Sequence, residues 1–149
     1  MTIFDNSNND FMKNIKTEKS KIFISYSYKD AAYAELLASL LGEKGFDTWL
    51  DTNIKLGDSW ENTISKALDD SKYVIALLSA DYLHSASSLV ELGAAYGSGK
   101  KIIPILLSGQ LSDIPLRLAS LKFHMIDAQK MDKNSLLNMI EQQTTAEAA

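Results

Sequence analysis

The fold class is decided by residues 72–78, KYVIALL, in which every position after the lysine is apolar or aromatic. A strand with one face in water alternates apolar and polar side chains, whereas a strand covered on both faces is apolar nearly throughout. This run therefore predicts a central strand of a sheet that carries helices on both of its faces.

Four further runs of similar length predict the other strands of the same sheet. Each is short, rich in β-branched or aromatic residues, and separated from the next by a helical pattern or a turn. Strands that alternate with helices pair in parallel through right-handed crossovers. The expected fold is α/β, a flavodoxin-like three-layer sandwich with a five-stranded parallel sheet in the order 2-1-3-4-5. The four runs are Lys21–Tyr26, Phe46–Leu50, Lys101–Leu107 and Lys122–Ile126.

Four helices are predicted around these strands. The first begins at Asp30, a candidate N-cap, and should stop at Gly42 or Gly45. The second begins at the capping-box pattern Asp58-x-x-Glu61. The remaining two are expected over Ser88–Gly97 and Asp132–Gln142.

Two details of these elements carry expectations of their own. Pro104 falls inside a predicted strand and cannot donate a ladder hydrogen bond, so its nitrogen should face away from a partner or sit in a bulge. Gly93-x-x-x-Gly97 places two small residues on one face of the predicted third helix. They would permit close approach either to the chain's own sheet or to a neighbouring chain.

Composition excludes several classes of protein. The chain has 149 residues, a formal charge of −4 and no cysteine. It therefore has no basic surface for nucleic acid, no disulfide, no thiol catalysis and no zinc–thiolate site. His84 and His124 have no nearby ligand set, so no metal site is expected. No apolar run is long enough to span a membrane and no signal-peptide pattern is present, so the expected location is the cytoplasm.

The domain is expected over residues 21–143. Residues 1–20 are rich in Asn, Lys and Asp and predict a flexible tail or linker outside the domain. Residues 144–149 predict a disordered end.

Ligands of parallel α/β sheets bind at the carboxyl ends of the strands. The loop after the first strand, residues 25–30 (SYSYKD), has no glycine, which excludes a dinucleotide-binding glycine fingerprint and a P-loop. It also lacks the paired acids of a phosphoacceptor receiver domain. What remains is Tyr26, Asp51 and Glu91, which follow strands one, two and three. An aromatic ring and two acids around one crevice suit a sugar joined to a neutral or cationic ring.

Each of these residues also has a purely structural explanation. Ser88-x-x-Glu91 is itself a capping-box pattern, and the two roles of Glu91 can coexist. Tyr26 can pack in the core. Asp51 can be a turn residue that bonds its own backbone. The residue pattern alone leaves both explanations open.

A series of short motifs resembles TIR (Toll/interleukin-1 receptor) domains over about residues 20–142. Individually the motifs are loose, but they occur in the family's order and spacing. The third strand and the fourth strand with its proline are represented, and Ser85 with Glu91-Leu92 matches the family's Ser–Trp–x–x–x–Glu–Leu pattern apart from its tryptophan. The matching segments are 23–26 (FISY, followed by Asp30), 45–57 (GFDTWLD through Leu56-Gly57), 71–82, 85–92 and 99–105.

The resemblance implies an enzyme that cleaves NAD⁺ to nicotinamide plus ADP-ribose or a cyclic ADP-ribose isomer, with NAD⁺ as the substrate and no cofactor. Glu91 is implied as the catalytic residue. The family tryptophan four residues before it, which packs beside the nicotinamide end, is Ser87 here. Further implied positions are substrate contacts at Tyr26, Ser27, Asp51 and Ser87, and loop or rim residues at Leu56, Gly57 and Trp60.

The short chain also resembles TIR proteins of bacterial anti-phage systems such as Thoeris, where the enzyme makes a nucleotide signal for a separate effector. The partners implied are therefore NAD⁺, other TIR domains through homo-oligomerisation, and such an effector. Two other functions stay open at this point: a non-catalytic adaptor that works through TIR–TIR contact, and an effector module cut from a longer chain.

Overall fold

The computed structural model describes residues 21–50, 66–84, 92–93, 97–114 and 125–145. Its five strands form one sheet in the order β2-β1-β3-β4-β5, and every neighbouring pair is parallel. The predicted α/β class and strand order are confirmed. The strands are β1 (Lys21–Ser25), β2 (Asp47–Leu50), β3 (Tyr73–Leu78), β4 (Lys101–Leu106) and β5 (Ile126–Asp127).

Helices cover both faces of this sheet. Among the described residues the longest helices are α1 (Ala31–Glu43) and α3 (Lys133–Thr145), and a four-residue helix α2 (Ala80–Leu83) follows β3. Residues 66–70 are also helical. The predicted helix starts at Asp58 and Ser88 lie outside the described residues. Within the described residues there are also short 3₁₀ turns at Tyr28–Asp30, Leu111–Asp113 and Ala128–Lys130.

The core has two halves, one on each side of the sheet. The side chains of Ile22, Ile75 and Ile105 face α1 and α3 and are fully buried. On the opposite face, Phe23 and Val74 pack with residues of the helical segment 66–70. All six residues of β3 are buried, which confirms the prediction from its continuous apolar sequence.

α1 ends where the glycines predict. Gly45 has a φ of 95°, a left-handed conformation that a glycine adopts without steric cost. The Phe46 amide then donates to the Leu41 carbonyl at 3.1 Å, which satisfies one of the free carbonyls at the helix end.

Pro104 is accommodated without a bulge. The pairing of β3 with β4 runs through it in register, with Ala76 opposite Pro104. The Leu107 amide donates to the Leu78 carbonyl at 2.8 Å, so the odd-numbered amides of β4 face β3. Because amides alternate along a strand, the Pro104 nitrogen faces β5, whose described pairing begins only at Ile105. The first of the two expectations for Pro104 therefore fits the structure.

α3 extends past its predicted end at Gln142 and into the segment 144–149 that was predicted to be disordered. Its final carbonyls are held by the amino ends of two strands. The Tyr73 hydroxyl donates to the Thr144 carbonyl at 2.8 Å, and the Lys101 ammonium donates to the Gln143 carbonyl at 2.7 Å. A cation and a hydroxyl at a helix C-terminus stabilise the last turn, which explains the extra length.

Gly93 and Gly97 do not pack tightly against the chain's own sheet. A β-carbon added at either position would meet no atom within 4 Å, and both residues are exposed. Close packing against the residues that the structure describes therefore does not account for these two glycines.

Candidate functional site

The carboxyl ends of β1 and β3 are joined by a buried hydrogen bond. Ser25, the last residue of β1, has its hydroxyl oxygen 2.8 Å from the Tyr82 hydroxyl on α2. Both residues are fully buried. This contact fixes α2, and with it the start of the chain that leads towards residue 91, against the end of β1.

A second contact between the same two loops involves a carboxylate. The Ser79 hydroxyl donates to Asp30 Oδ2 at 2.6 Å and accepts from the Tyr82 amide at 3.1 Å. One hydroxyl thus caps α2 and holds the start of α1. Hydrogen bonds to a charged acceptor are the stronger kind.

The sequence predicts Asp30 as the N-cap of α1, and its position is confirmed. The hydrogen bond from an amide of the helix to its side chain, which would make it a cap, is not formed. The 3₁₀ turn Tyr28–Asp30 runs directly into the helix, and the Ala31 amide already donates to the Tyr28 carbonyl. The Asp30 carboxylate is therefore available for Ser79.

Three contacts stabilise the turn at residues 27–30, which we call the braced turn. Ser27 is buried and caps the turn, with its hydroxyl 3.4 Å from the Lys29 amide. The Asp30 amide donates to the Ser27 carbonyl at 2.8 Å. The exposed Lys29 ammonium lies 3.5 Å from Asp81 on α2. The loop after β1 is consequently fixed to the exit of β3 by one buried, one partly buried and one exposed contact.

The aromatic residues of this loop differ sharply in exposure. Tyr26 packs in the core beneath α1 and is only 3% exposed. Its ring therefore offers little surface to a ligand, and the predicted substrate role of Tyr26 stays a prediction. Tyr28 is 81% exposed on the braced turn.

Most of the other predicted site residues lie outside the described residues: Asp51, Leu56, Gly57, Trp60, Ser87 and Glu91. The sheet topology still determines the edge of the sheet at which the segments leading to Asp51 and Glu91 begin. Asp51 is the next residue after β2, and β2, β1 and β3 are neighbours in the sheet. Since parallel strands end at one edge, the loops that carry Asp51, Ser27 and Glu91 leave the same edge of the sheet.

A hollow of about 540 Å³, lined by both polar and apolar side chains, lies at the carboxyl ends of β4 and β5. Sequence reasoning did not find it. The Gln129 amide group donates to the Gly109 carbonyl at 3.1 Å and so joins the two loops that line it. Its lining consists of Leu106, Gly109, Gln110, Leu111, Ser112, Asp127, Gln129 and Lys130.

Two groups with displaced pKa values lie away from the braced turn. Burial raises the pKa of Tyr33, which lines a small apolar groove between α1 and α3. Hydrogen bonds from Ser135 lower the pKa of Asp132, whose carboxylate accepts from the Ser135 amide at 2.8 Å at the start of α3. Within the described residues no group of three or more His, Cys, Asp or Glu side chains could hold a metal ion. No helix in the part of the chain that the structure describes is long and apolar enough to cross a membrane.

Comparison with known proteins identifies the family. Residues 22–140 match the sequence model of the TIR domain, and the chain therefore belongs to the TIR domain family. It is 28% identical over 116 residues, 74% of its length, to the probable 2′ cyclic ADP-D-ribose synthase TcpO of Methanobrevibacter olleyae. It is 33% identical over 90 residues, 56% of its length, to the NAD(+) hydrolase PdTIR of Paracoccus denitrificans. The matches span 34% and 30% of those two proteins, about a third of their length.

Solved structures show the same fold. The TIR domain of the Toll-related receptor TRR-2 from Hydra magnipapillata superposes with a TM-score of 0.66 at 21% identity, covering 79% of this chain and 96% of that one. The RPS4 and RRS1 TIR domain heterodimer matches with a TM-score of 0.52 at 12% identity, covering 87% and 95%. At these identities the likeness concerns the fold alone.

Proposed function

We propose that this protein is an NAD⁺ nucleosidase that cleaves the bond between nicotinamide and ribose, with Glu91 as its catalytic carboxylate. The observation that carries the proposal is the match to two proteins named a probable 2′ cyclic ADP-D-ribose synthase and an NAD(+) hydrolase, because cleavage of NAD⁺ at this bond accounts for both of those activities. Glu91 stands where the family resemblance puts the catalytic glutamate.

The reaction needs little from the protein beyond placement and charge. When the bond between ribose C1′ and the pyridinium nitrogen breaks, its electron pair stays on the nitrogen and neutral nicotinamide leaves. Positive charge then develops on the ribose as an oxocarbenium ion, which a nearby carboxylate stabilises. Attack by water releases a proton and gives ADP-ribose, whereas attack by a hydroxyl of the same molecule gives a cyclic product.

The described part of the site supports this proposal through rigidity. Catalysis by placement requires the reacting groups to be held by packed and hydrogen-bonded neighbours. The Ser25–Tyr82 and Asp30–Ser79 contacts join the loop that carries Ser27 to the start of the segment that carries Glu91. The proposed substrate contacts are Tyr26, Ser27, Asp51 and Ser87, and the proposed rim residues are Leu56, Gly57 and Trp60.

Incubation of the purified protein with NAD⁺, followed by chromatography of the products, tests the proposal directly. We expect nicotinamide to appear together with an equal amount of ADP-ribose or a cyclic isomer. No nicotinamide release at any protein concentration would contradict the enzyme and favour the second candidate, a TIR–TIR adaptor. That candidate finds support in the TIR heterodimer that shares the fold.

We further propose a cytoplasmic role in anti-phage defence, in which the product signals to a separate effector. The support is the resemblance of the domain to TIR enzymes of bacterial anti-phage systems. Cells that express the protein with its genomic neighbours should survive phage infection better than cells carrying the Glu91→Gln variant. Equal survival of the two strains would contradict this role while leaving the chemistry untouched.

A further inference from the structure

Tyr28 is the most exposed large apolar side chain among the residues that the structure describes. It is 81% exposed, against 47% for Leu111 and 43% for Leu36. A single exposed aromatic is ordinary on a protein surface and by itself indicates nothing. The setting of Tyr28 is what distinguishes it.

The exposed ring stands on a rigid support. The braced turn is capped by the buried Ser27, tied to Ser79 through Asp30 at 2.6 Å, and paired with Asp81 through Lys29 at 3.5 Å. It lies at the carboxyl end of β1, between the exits of β2 and β3. A ring held in this way can contact a ligand without the entropy cost of ordering a flexible loop.

Tyr26 cannot offer the same surface. Its ring is buried in the core cluster beneath α1, whereas the Tyr28 side chain, two residues further along, is largely exposed to solvent. Within the loop after β1, a flat ligand ring therefore has one exposed aromatic face to stack on.

We propose that Tyr28 stacks on the cationic pyridinium ring of NAD⁺, an inference that rests on the function proposed above. The face of a tyrosine ring is electron-rich and attracts a cation that lies over it. The neighbouring Lys29 ammonium is paired with Asp81, which reduces its repulsion of a second cation. Because bond cleavage leaves nicotinamide neutral, this contact is stronger for the substrate than for the cleaved nicotinamide, which therefore dissociates from the site more readily.

Binding measurements on an inactive background test this assignment. In the Glu91→Gln protein, which should hold NAD⁺ intact, calorimetry gives dissociation constants for NAD⁺ and for ADP-ribose, which lacks the pyridinium ring. Adding Tyr28→Ala should weaken NAD⁺ binding about fivefold, the size of an exposed cation–π contact, and leave ADP-ribose binding unchanged. Tyr28→Phe should retain most of the NAD⁺ affinity, and Leu36→Ala, at an exposed position on α1 away from the braced turn, should have no effect.

The possible failures are distinct. Equal weakening for NAD⁺ and ADP-ribose would place the contact at another part of the dinucleotide and overturn the pyridinium assignment. Unchanged NAD⁺ affinity in Tyr28→Ala, in a protein whose unmutated form releases nicotinamide, would overturn this inference alone. A wild-type protein that neither binds nor cleaves NAD⁺ would overturn the proposed function and this inference with it.

Discussion

Glu91 can serve as the catalytic carboxylate or as a helix-capping residue, and both roles would use the same side chain. A glutamate three positions after Ser88 can bond back to the Ser88 amide, and a glutamine can do the same. Only the carboxylate carries the negative charge that stabilises an oxocarbenium ion. The amide variant therefore separates the two roles.

We expect Glu91→Gln to reduce nicotinamide release on the order of 100-fold or more, because a charge aimed at the transition state is lost. The free energy of unfolding should change by less than about 0.5 kcal/mol, as for a substitution that keeps a cap. Paired measurements of turnover and thermal unfolding check this. A parallel fall in both quantities would instead identify Glu91 as a structural cap, and full turnover would end its catalytic assignment.

Asp30 shows what sequence reasoning could not reach at this scale. The pattern before α1 correctly placed a helix start there, but it assigned the carboxylate to a local cap. The actual partner, Ser79, is 49 residues away in sequence and becomes a neighbour only once β1 and β3 pair. The same holds for Tyr26, whose position at a strand end fits either a core or a ligand role until its burial is known.

At the scale of elements, the contacts that bridge β1 and α2 should differ in strength according to burial. The Asp30–Ser79 pair is partly buried and charge-assisted, whereas the Lys29–Asp81 pair joins the same loops but has both side chains about half exposed. Water and salt screen the exposed pair and leave the other largely intact.

Two double-mutant cycles measured by chemical unfolding test this difference. The cycle of Asp30→Ala with Ser79→Ala should give a coupling on the order of 1–2 kcal/mol. The matched cycle of Lys29→Ala with Asp81→Ala should give about 0.5 kcal/mol or less. Equal couplings would show that the braced turn is not held chiefly by Asp30.

The elements themselves were predictable to the extent that their signals are local. The continuous apolar sequence of β3 indicates burial on both faces, as observed. Gly45 indicates the end of α1 because a glycine readily adopts the left-handed conformation found there. α2 was missed because four residues are too few to show a helical period. The extension of α3 to Thr145 depends on the distant Tyr73 hydroxyl, which no pattern within the helix could reveal.

At the scale of the whole molecule, the open question is whether one chain suffices for activity. Gly93 and Gly97 have helical conformation and are exposed, and a β-carbon added at either would meet nothing within 4 Å. Small residues that no contact with the described part of the chain requires are compatible with close approach of a second chain. The predicted loop Thr52–Gly57 is short for closing over a dinucleotide, which gives a second reason to expect that a neighbouring chain completes the site.

Activity should therefore depend on self-association. If the competent site forms only between chains, specific activity rises steeply with protein concentration or with a crowding agent, because the active species is an oligomer. Gly57→Pro fixes the backbone of the predicted loop in one φ well and should abolish that rise without unfolding the domain.

Gly93→Leu should also abolish the rise, because the larger side chain blocks close approach of a second chain. Gly42→Leu on α1 is the matched control, since a β-carbon added there also meets nothing within 4 Å. The measurements are nicotinamide release per milligram from nanomolar to high micromolar protein and sedimentation of the same samples. Specific activity that stays flat over this range, with every variant equal to wild type, would establish a self-sufficient monomeric enzyme and exclude assembly as the switch.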